Sequence, residues 1–318
     1  MKLKYWIIVL CTGLLIPAAS IFLLSPDIED IILCDDATES EPTSNTYTPE
    51  IKLLLSDGSV ESIPLEEYVL RVVLKEMPAD FEVEALKAQA VVARTYTLRR
   101  MEKESKHENA TVCTNPSCCQ GYCTEEDYKK SGGDTQLLNK VFDAVSETAG
   151  MVLTYQNELI EATYFSCSGG MTEDAVAVWG SFIPYLQATE SPGEEYATHY
   201  TDTVKFKVSE FAELLDISTD AGDSLNIDNV IYTNGGGVSN ICINGTDFTG
   251  TELRRLLGLK STAFRMAVVG ENVIITTKGF GHRVGMSQYG ADAMAAAGSD
   301  YQQILAHYYR DTELVCIP

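Results

Sequence analysis

Basic residues are scarce in this chain of 318 amino acids. It has 23 Lys and Arg residues against 46 Asp and Glu residues, and its formal net charge is -23 at pH 7. Such an acidic surface repels polyphosphates and anionic lipid headgroups. The composition therefore argues against a nucleic-acid partner and against binding of the folded body to an anionic membrane surface.

Several common catalytic motifs are also missing. The sequence contains no G-x-S-x-G segment, no glycine-rich loop that ends in Lys-Ser or Lys-Thr, and no H-E-x-x-H segment. These absences argue against a serine hydrolase, a nucleotide-phosphate loop and a zinc hydrolase. No repeat of solenoid length occurs either.

One long apolar run stands at the N-terminus. Lys2 and Lys4 precede an uncharged, mostly apolar stretch of about 20 residues (5–24), enough to cross a hydrocarbon core as a helix. Positive charges before the run and acidic residues after it predict that the rest of the chain is outside the cytoplasm. A cleaved signal peptide, with small residues at 17–20, is the alternative. The predicted organisation of this single-pass cell-membrane protein is a cytoplasmic stub (1–4), a transmembrane anchor (5–24), a tether (25–48) and an exported domain (49–318).

The exported domain should open with a hairpin and two helices. Residues 50–64 predict two short strands joined by a turn, and apolar residues at helical spacing follow. This first helix should end near Glu76, because Pro78 disfavours helical angles in the residue before it. A second helix is expected to begin from an N-cap at Asp80 and to run to about Arg100.

Helices and strands do not alternate regularly in the rest of the domain. Residues 105–135 are rich in Cys, Gly and Asn and predict a loop, strand-like stretches dominate from residue 150, and residues 291–309 carry a helical pattern. We therefore expect an α+β fold, with an antiparallel sheet and packed helices in a single exported domain.

Glu76 is the first candidate for chemistry. It lies at a predicted helix C-terminus beside Met77 and Pro78, where the helix dipole and the loss of water both disfavour the charged carboxylate. Its pKa should therefore rise, which suits a general acid for a glycosidic oxygen. A carboxylate that simply faces solvent at a helix end is the alternative.

Three other segments carry side chains that suit a ligand. Lys87 and Arg94 are seven residues apart, so they project from nearly the same face of the second helix, where the alternative is a solvated surface. Ser168 and Gly169 belong to a loop rich in hydroxyls and glycine (164–172). A second glycine-rich segment contributes His282, Arg283, Ser287, Gln288 and Tyr289.

Cysteine is frequent, with nine in the chain. His107, Cys113 and Cys119 are spaced by six and six, and Cys118 and Cys123 are close to them. One imidazole and two thiolates suit tetrahedral zinc, but an exported chain can also oxidise neighbouring thiols. The spacing therefore leaves both a zinc site and disulfides open.

Five blocks of sequence carry a family resemblance. They are Leu-Glu-Glu-Tyr-Val-Leu-Arg-Val-Val-Leu-Lys-Glu-Met-Pro (65–78), Glu-Ala-Leu-Lys-Ala-Gln-Ala-Val-Val-Ala-Arg-Thr-Tyr (84–96), and residues 164–170, 249–264 and 279–291. Together they resemble the stage II sporulation protein D family, the peptidoglycan lytic transglycosylases of endospore-forming bacteria.

The resemblance implies an activity. The Glu of the Glu-Met-Pro block is the catalytic acid/base of that family, which corresponds to Glu76. Basic residues of the following helix contact the glycan, which corresponds to Lys87 and Arg94, and Tyr96 at the end of the same block is expected at the substrate. Lytic cleavage uses the C6 hydroxyl of the sugar itself as the nucleophile, so one carboxyl suffices.

The resemblance also implies a cofactor, a location and partners. Some members bind zinc through one His and two Cys at this spacing, which implies a structural zinc on His107, Cys113 and Cys119 with the fourth ligand open. The family acts in the mother-cell membrane during engulfment, on glycan strands freed of stem peptides. Its partners are an amidase/endopeptidase and a polytopic membrane protein, and a homodimer is left open.

A non-catalytic function is the main alternative. Related domains occur in amidase enhancers, so the chain could bind peptidoglycan and activate a cell-wall amidase without cutting the glycan. Glu76 separates the two hypotheses, because a binding module needs no carboxyl with a raised pKa.

Overall fold

The computed structural model describes residues 49–103, 105–219 and 225–317. The predicted anchor (5–24) and tether (25–48) lie outside these residues. Across the ranges that the structure describes, none of the helices combines the length and the apolar character needed to cross a bilayer.

Nine helices form in the described ranges. They are α1 (Leu65–Glu76), α2 (Val83–Glu102), α3 (Glu125–Lys130), α4 (Thr135–Glu147), α5 (Ala175–Trp179), α6 (Val208–Leu215), α7 (Gly250–Leu257), α8 (Gln288–Ala296) and α9 (Tyr301–Tyr308).

The same ranges contain 14 short strands. They are β1 (Glu50–Leu54), β2 (Val60–Pro64), β3 (Val112–Cys113), β4 (Met151–Tyr155), β5 (Glu158–Leu159), β6 (Tyr164–Phe165), β7 (Thr201–Lys207), β8 (Ile227–Tyr232), β9 (Val238–Ile243), β10 (Thr246–Thr249), β11 (Phe264–Val269), β12 (Asn272–Lys278), β13 (Met286–Ser287) and β14 (Glu313–Cys316).

The strands form five small sheets, in the orders β2-β1-β3, β14-β4-β5, β6-β13, β11-β12-β7 and β10-β9-β8. The sheets that contain β4, β12 and β9 are antiparallel throughout. In contrast, β1 pairs with β3 and β6 pairs with β13 in parallel. The α+β class is confirmed, but several small sheets replace the one antiparallel sheet that the sequence led us to expect.

The hairpin of β1 and β2 leads directly into α1, as predicted. The helix buries the face that carries Tyr68 and Val72. It ends at Glu76 because Pro78 keeps Met77 extended, at φ -122° and ψ 138°. Pro78 thus determines where α1 ends and where Glu76 lies.

Two predictions about the next segment are wrong. Asp80 does not cap α2, because it lies in a turn in which the Phe81 N–H donates to the Pro78 carbonyl, and the N-cap is Glu82. The predicted loop over residues 105–135 contains β3 and α3, since pairing with β1 orders part of it.

The helical pattern over residues 291–309 is also interrupted. It forms α8 and α9 rather than one helix. Gly298 takes a positive φ of 98°, which ends the first helix, and Asp300 starts the second with a capping box.

Two hydrophobic cores organise the described residues. The first core is built by α1, α2, α4 and β4, with β13 and α9 from the C-terminal part of the chain. The second core is built by α6, α7, β9, β11 and β12, all within residues 201–278. The ends of this second-core segment adjoin, since the Gly279 N–H donates to the Tyr200 carbonyl at 3.0 Å. The second core is therefore an insertion between β6 and β13, the paired strands that lead to the candidate site.

Candidate active site and metal cluster

Glu76 ends α1 with its side chain partly buried. Its carboxyl group accepts a hydrogen bond from the Gly121 N–H and is hydrogen-bonded to the Tyr164 hydroxyl. Burial raises the pKa of this carboxyl, and the hydrogen bonds from Gly121 and Tyr164 oppose the rise without cancelling it. The group is therefore biased towards its protonated form, mainly by loss of water.

Three segments meet at Glu76. Residues 105–123 supply Gly121, and β6 supplies Tyr164. At the start of α8, Gln288 Nε2 donates to the Glu76 backbone carbonyl at 2.9 Å. A Cβ at position 121 would lie 2.9 Å from Glu76 Oε1. Glycine is therefore required for this close approach of backbone to carboxyl.

Gln120 orients the Tyr164 hydroxyl. Its Nε2 donates to the Tyr68 hydroxyl at 3.3 Å and to Thr97 Oγ1 at 3.1 Å, while Thr97 Oγ1 donates to a backbone carbonyl of α2. Gln120 Oε1 is thus left to accept from the Tyr164 hydroxyl, 3.2 Å away. The hydroxyl has one proton, which it can donate to Gln120 or to an ionised Glu76. It can therefore accommodate either protonation state of Glu76.

Arg94 lies in a buried ion pair away from the Glu76 carboxyl. It is completely buried, and its guanidinium donates to both carboxylate oxygens of Glu66 at 2.7 and 2.6 Å and to the Met151 carbonyl at 3.1 Å. Glu66 precedes Glu76 by ten positions in α1, which is about 15 Å along the helix axis. A direct contact between Arg94 and a glycan would require its release from this pair.

Lys87 and Tyr96 are likewise engaged with other protein groups. Lys87 pairs with Glu84 at 2.9 Å and with Glu147 at 2.7 Å. Tyr96 is buried, and the guanidinium carbon of Arg100 lies 4.7 Å from its ring centroid. The structure gives both side chains partners within the fold.

Ser168, Gly169 and Arg283 share a buried polar network. The Glu194 carboxylate accepts from the Ser168 N–H and Oγ at 2.7 and 2.8 Å, and from the Gly169 N–H at 3.3 Å. Arg283 donates to the carbonyl of Ser168 at 2.9 Å and to that of Gly235, in the second-core segment, at 2.6 Å. These residues therefore join the two cores.

The other members of the glycine-rich segment differ in their proximity to Glu76. Gln288 bonds to the Glu76 backbone, as described above. Its neighbour Ser287 caps α8, and the ring of Tyr289 packs against Phe81 with centroids 5.0 Å apart. His282 Nδ1 accepts from a backbone N–H at 3.1 Å. The structure thus brings Gln288, but not the whole segment, to Glu76.

Four metal-ligating side chains cluster within residues 105–123. The ligand atoms of His107, Cys113, Cys118 and Cys119 all lie within 4.8 Å of one another. His107 Nε2 is 3.4 Å from Cys119 Sγ and 3.7 Å from Cys118 Sγ, and these two sulfurs are 4.0 Å apart. Tetrahedral zinc would place such atoms about 3.6–3.8 Å apart, whereas a disulfide requires about 2.05 Å. The cysteines of the cluster are free thiols, and the cluster fits a metal with Cys118 as its fourth ligand.

Sequence reasoning missed several groups around Glu76. The loop that contains Tyr164 drew attention to Ser168 and Gly169 instead. A lone glycine within a cysteine-rich segment is a signal for close backbone approach, so Gly121 was accessible from the sequence. Gln120 offers no such signal, because its role depends on partners far away in the chain.

Comparison with known proteins connects this site to a family. Residues 56–155 match SpoIID, the stage II sporulation protein family. The chain is 42% identical over 263 residues to stage II sporulation protein D of Bacillus amyloliquefaciens and of Bacillus subtilis (strain 168), covering 81% of this chain and 76% of each relative. It is also 29% identical over 296 residues to the amidase enhancer of Bacillus subtilis, covering 76% of this chain and 39% of that relative.

The names of these relatives define a class of sporulation protein associated with the cell wall. The chain belongs to the stage II sporulation protein D family. The resemblance drawn from the five sequence blocks is thereby confirmed.

Proposed function

We propose that this chain is a lytic transglycosylase that cleaves peptidoglycan glycan strands freed of stem peptides, with Glu76 as general acid and then base. The observation that carries the proposal is the Glu76 carboxyl, which has a raised pKa and is held between Gly121 and Tyr164. No other carboxylate of the described residues is among the groups that shift this pKa. A two-carboxylate glycosidase would have its second carboxyl about 5–9.5 Å away. A single standout carboxyl suits lytic cleavage better.

The reaction consumes no water. Protonated Glu76 gives its proton to the glycosidic oxygen as the bond from that oxygen to C1 breaks. The C6 hydroxyl of the same sugar then forms a bond to C1, and its proton passes to the Glu76 carboxylate. The acid is thereby regenerated and the product carries a 1,6-anhydro ring. The Gly121 N–H and the Tyr164 hydroxyl stabilise the carboxylate between the two steps.

The test is mass spectrometry of products from purified, peptide-free strands incubated with the full-length chain and with its Glu76→Gln variant. We expect 1,6-anhydro ends from the wild type alone, since glutamine keeps the side-chain shape but has no acidic proton. Strands that are bound but left uncut by both proteins would overturn the proposal.

That outcome would favour a second function, activation of a cell-wall amidase by a wall-binding module. The similarity to the amidase enhancer of Bacillus subtilis supports this alternative. It predicts that the chain accelerates an added amidase, and that Glu76→Gln does so equally well.

We further propose that the four-residue cluster binds zinc. His107, Cys113, Cys118 and Cys119 supply four nitrogen and sulfur ligands, a set that leaves no open position and suits a structural ion. The bound ion would hold the segment that delivers Gly121 to the catalytic carboxyl. Elemental analysis should find one zinc per chain, with weaker retention in Cys118→Ser. Chain purified without chelator and free of zinc would contradict this.

The proposal includes a place of action and partners. Residues 5–24 would anchor the chain in the mother-cell membrane, with the enzyme domain outside the cytoplasm during engulfment. There it would work with an amidase/endopeptidase that removes stem peptides and with a polytopic membrane protein. Protease protection in sporulating cells tests the orientation. A domain that is protected from added protease because it lies in the cytoplasm, behind an intact membrane, would contradict it.

A further inference from the structure

An exposed aromatic surface lies beside His282, whose ring bonds to the Tyr164 carbonyl. Trp179, the last residue of α5, keeps 42% of its surface exposed, and Phe182 keeps 69%. The Trp179 ring centroid is 5.7 Å from that of His282, which is itself 5.7 Å from that of Phe165. An indole that packs against other rings on one side exposes a flat apolar face to solvent on the other, which is a feature of ligand-binding surfaces.

His282 is a fixed, neutral support for this surface. Its Nδ1 accepts from the Val284 N–H at 3.1 Å, and the ring also bonds to the Tyr164 carbonyl. Nδ1 as acceptor leaves the proton on Nε2, which donates to that carbonyl. Burial, together with the positive charge of Arg254, lowers the pKa of His282 to about 4. Both ring nitrogens are therefore occupied, and the ring carries no charge at neutral pH.

Arg254, on α7 of the second core, lies close enough to His282 to affect its pKa, and it has no counter-charge among the residues that the structure describes. Burial alone lowers the pKa of its guanidinium, and no carboxylate in the described ranges forms an ion pair with it. The arginines of the first core that pair with glutamate are Arg71, Arg94, Arg99 and Arg100. In a chain with twice as many acidic as basic residues, a partly buried arginine without such a partner is available to an external anion.

We propose that Trp179, His282 and Arg254 form a binding site for an acidic sugar, in which the indole stacks on the pyranose ring and the guanidinium binds the sugar's carboxylate. Guanidinium groups bind carboxylates through two parallel hydrogen bonds, and aromatic faces pack against the apolar face of a sugar ring. Neither interaction requires movement of the buried networks described above.

The occupant follows from the proposed function, on which this inference rests. When a stem peptide is removed, alternate sugars of the strand keep a free lactyl carboxylate. Tyr164 connects the two sites, because its hydroxyl bonds to Glu76 and its carbonyl bonds to His282. The proposed occupant is one strand, with its carboxylate at Arg254 and its glycosidic bond at Glu76.

The test compares two forms of the same ligand. Peptide-free strands are used as such or after conversion of their lactyl carboxylates to neutral amides, and binding is measured by calorimetry with the full-length chain that carries Glu76→Gln, so that no strand is cut. We expect the acidic strands to bind about tenfold more tightly, or better. Adding Arg254→Gln should abolish this preference, Arg254→Lys should keep part of it, and Trp179→Ala should weaken both forms alike.

Arg255→Gln is the matched control, since it removes an exposed cation from the next position of α7 and should keep the full preference. Equal binding of the acidic and the amidated strands to the chain with an intact Arg254 would overturn the proposal. An undiminished preference for acidic strands in a folded Arg254→Gln variant would also overturn it. Anhydro products from the wild-type chain are scored separately. Cleavage without a preference for acidic strands would contradict the acidic-sugar site and leave the proposed function standing. An Arg254-dependent preference without cleavage would support the acidic-sugar site and contradict the proposed function.

Discussion

Helix α1 carries a glutamate near each end, and the two have opposite surroundings. Glu66, in the first turn, binds the buried guanidinium of Arg94 through both oxygens, at the helix end whose dipole favours negative charge. Glu76, in the last turn, meets a backbone N–H and a tyrosine hydroxyl, and burial raises its pKa. The same side chain on one helix is thus bound to a cation for stability at one end and can hold a proton for chemistry at the other.

The largest difference is expected in activity. Glu76→Gln should reduce the rate of anhydro-end formation on the order of a thousandfold, which is typical for loss of a general acid and base. Glu66→Gln should leave the rate per folded molecule unchanged, because Glu66 contacts no reacting group. The cleavage rates of both variants are normalised to their folded fractions. An equal loss of activity in the two variants would show that Glu76 is no more important for cleavage than Glu66.

A second test concerns the stability supplied by Arg94. Arg94→Met should lower the free energy of unfolding by about 3 kcal/mol, because it leaves Glu66 without its cation. The value is expected at the low end of the range for buried pairs, since the side chain of Glu66 is 30% exposed. Chemical denaturation measures the change.

Lys87→Met provides the control, with an expected loss of about 1 kcal/mol or less, because its partner Glu147 is largely exposed. Similar losses at the two positions would mean that the Arg94 pair is no more important than a surface pair. A loss of activity beyond the loss of folded protein would instead support the glycan contact that the family resemblance implies for Arg94.

The pH dependence of cleavage examines the other end of α1. In the proposed mechanism cleavage requires protonated Glu76, so activity should fall as pH rises through the raised pKa of this carboxyl. Tyr164→Phe removes a hydrogen bond that stabilises the anion, which should move this fall to higher pH and reduce the maximal rate about tenfold. Tyr185→Phe, whose hydroxyl bonds to the Glu161 N–H instead, should leave the profile unchanged. A Tyr164→Phe profile that moves to lower pH would contradict the hydrogen bonding described here.

Local sequence patterns predicted the position of Glu76 better than the ion pair of Glu66 with Arg94. The apolar spacing of α1 and the position of Pro78 were sufficient to place Glu76 at a helix end. The sequence offered Arg94 as a ligand-binding residue, with a solvated helix face as the alternative. Its buried pair was missed because its partner Glu66 lies 28 positions earlier, and no local pattern connects the two. Cys118 is similar: spacing suggested three ligands, and only the folded loop shows that its sulfur lies with the others. Contacts distant in sequence decide which polar groups are structural and which remain available.

The smallest expected effect is the change in stability caused by Glu76→Gln, and its sign is opposite to that of the change caused by Glu66→Gln. Because the folded state raises the pKa of Glu76, it binds that proton more tightly than the unfolded chain, and ionised Glu76 costs stability as pH rises from the unfolded pKa through the folded one. Glu76→Gln should therefore increase the free energy of unfolding at pH 7, by less than Arg94→Met decreases it. The gain should vanish below about pH 4, where the carboxyl is protonated in both states. Glu66→Gln should destabilise at pH 7, since it removes the charge that binds Arg94. Chemical denaturation of both variants at the two pH values measures these changes. Destabilisation by Glu76→Gln at pH 7 would mean that the folded protein stabilises the carboxylate, which would contradict the raised pKa and the proposed role as general acid.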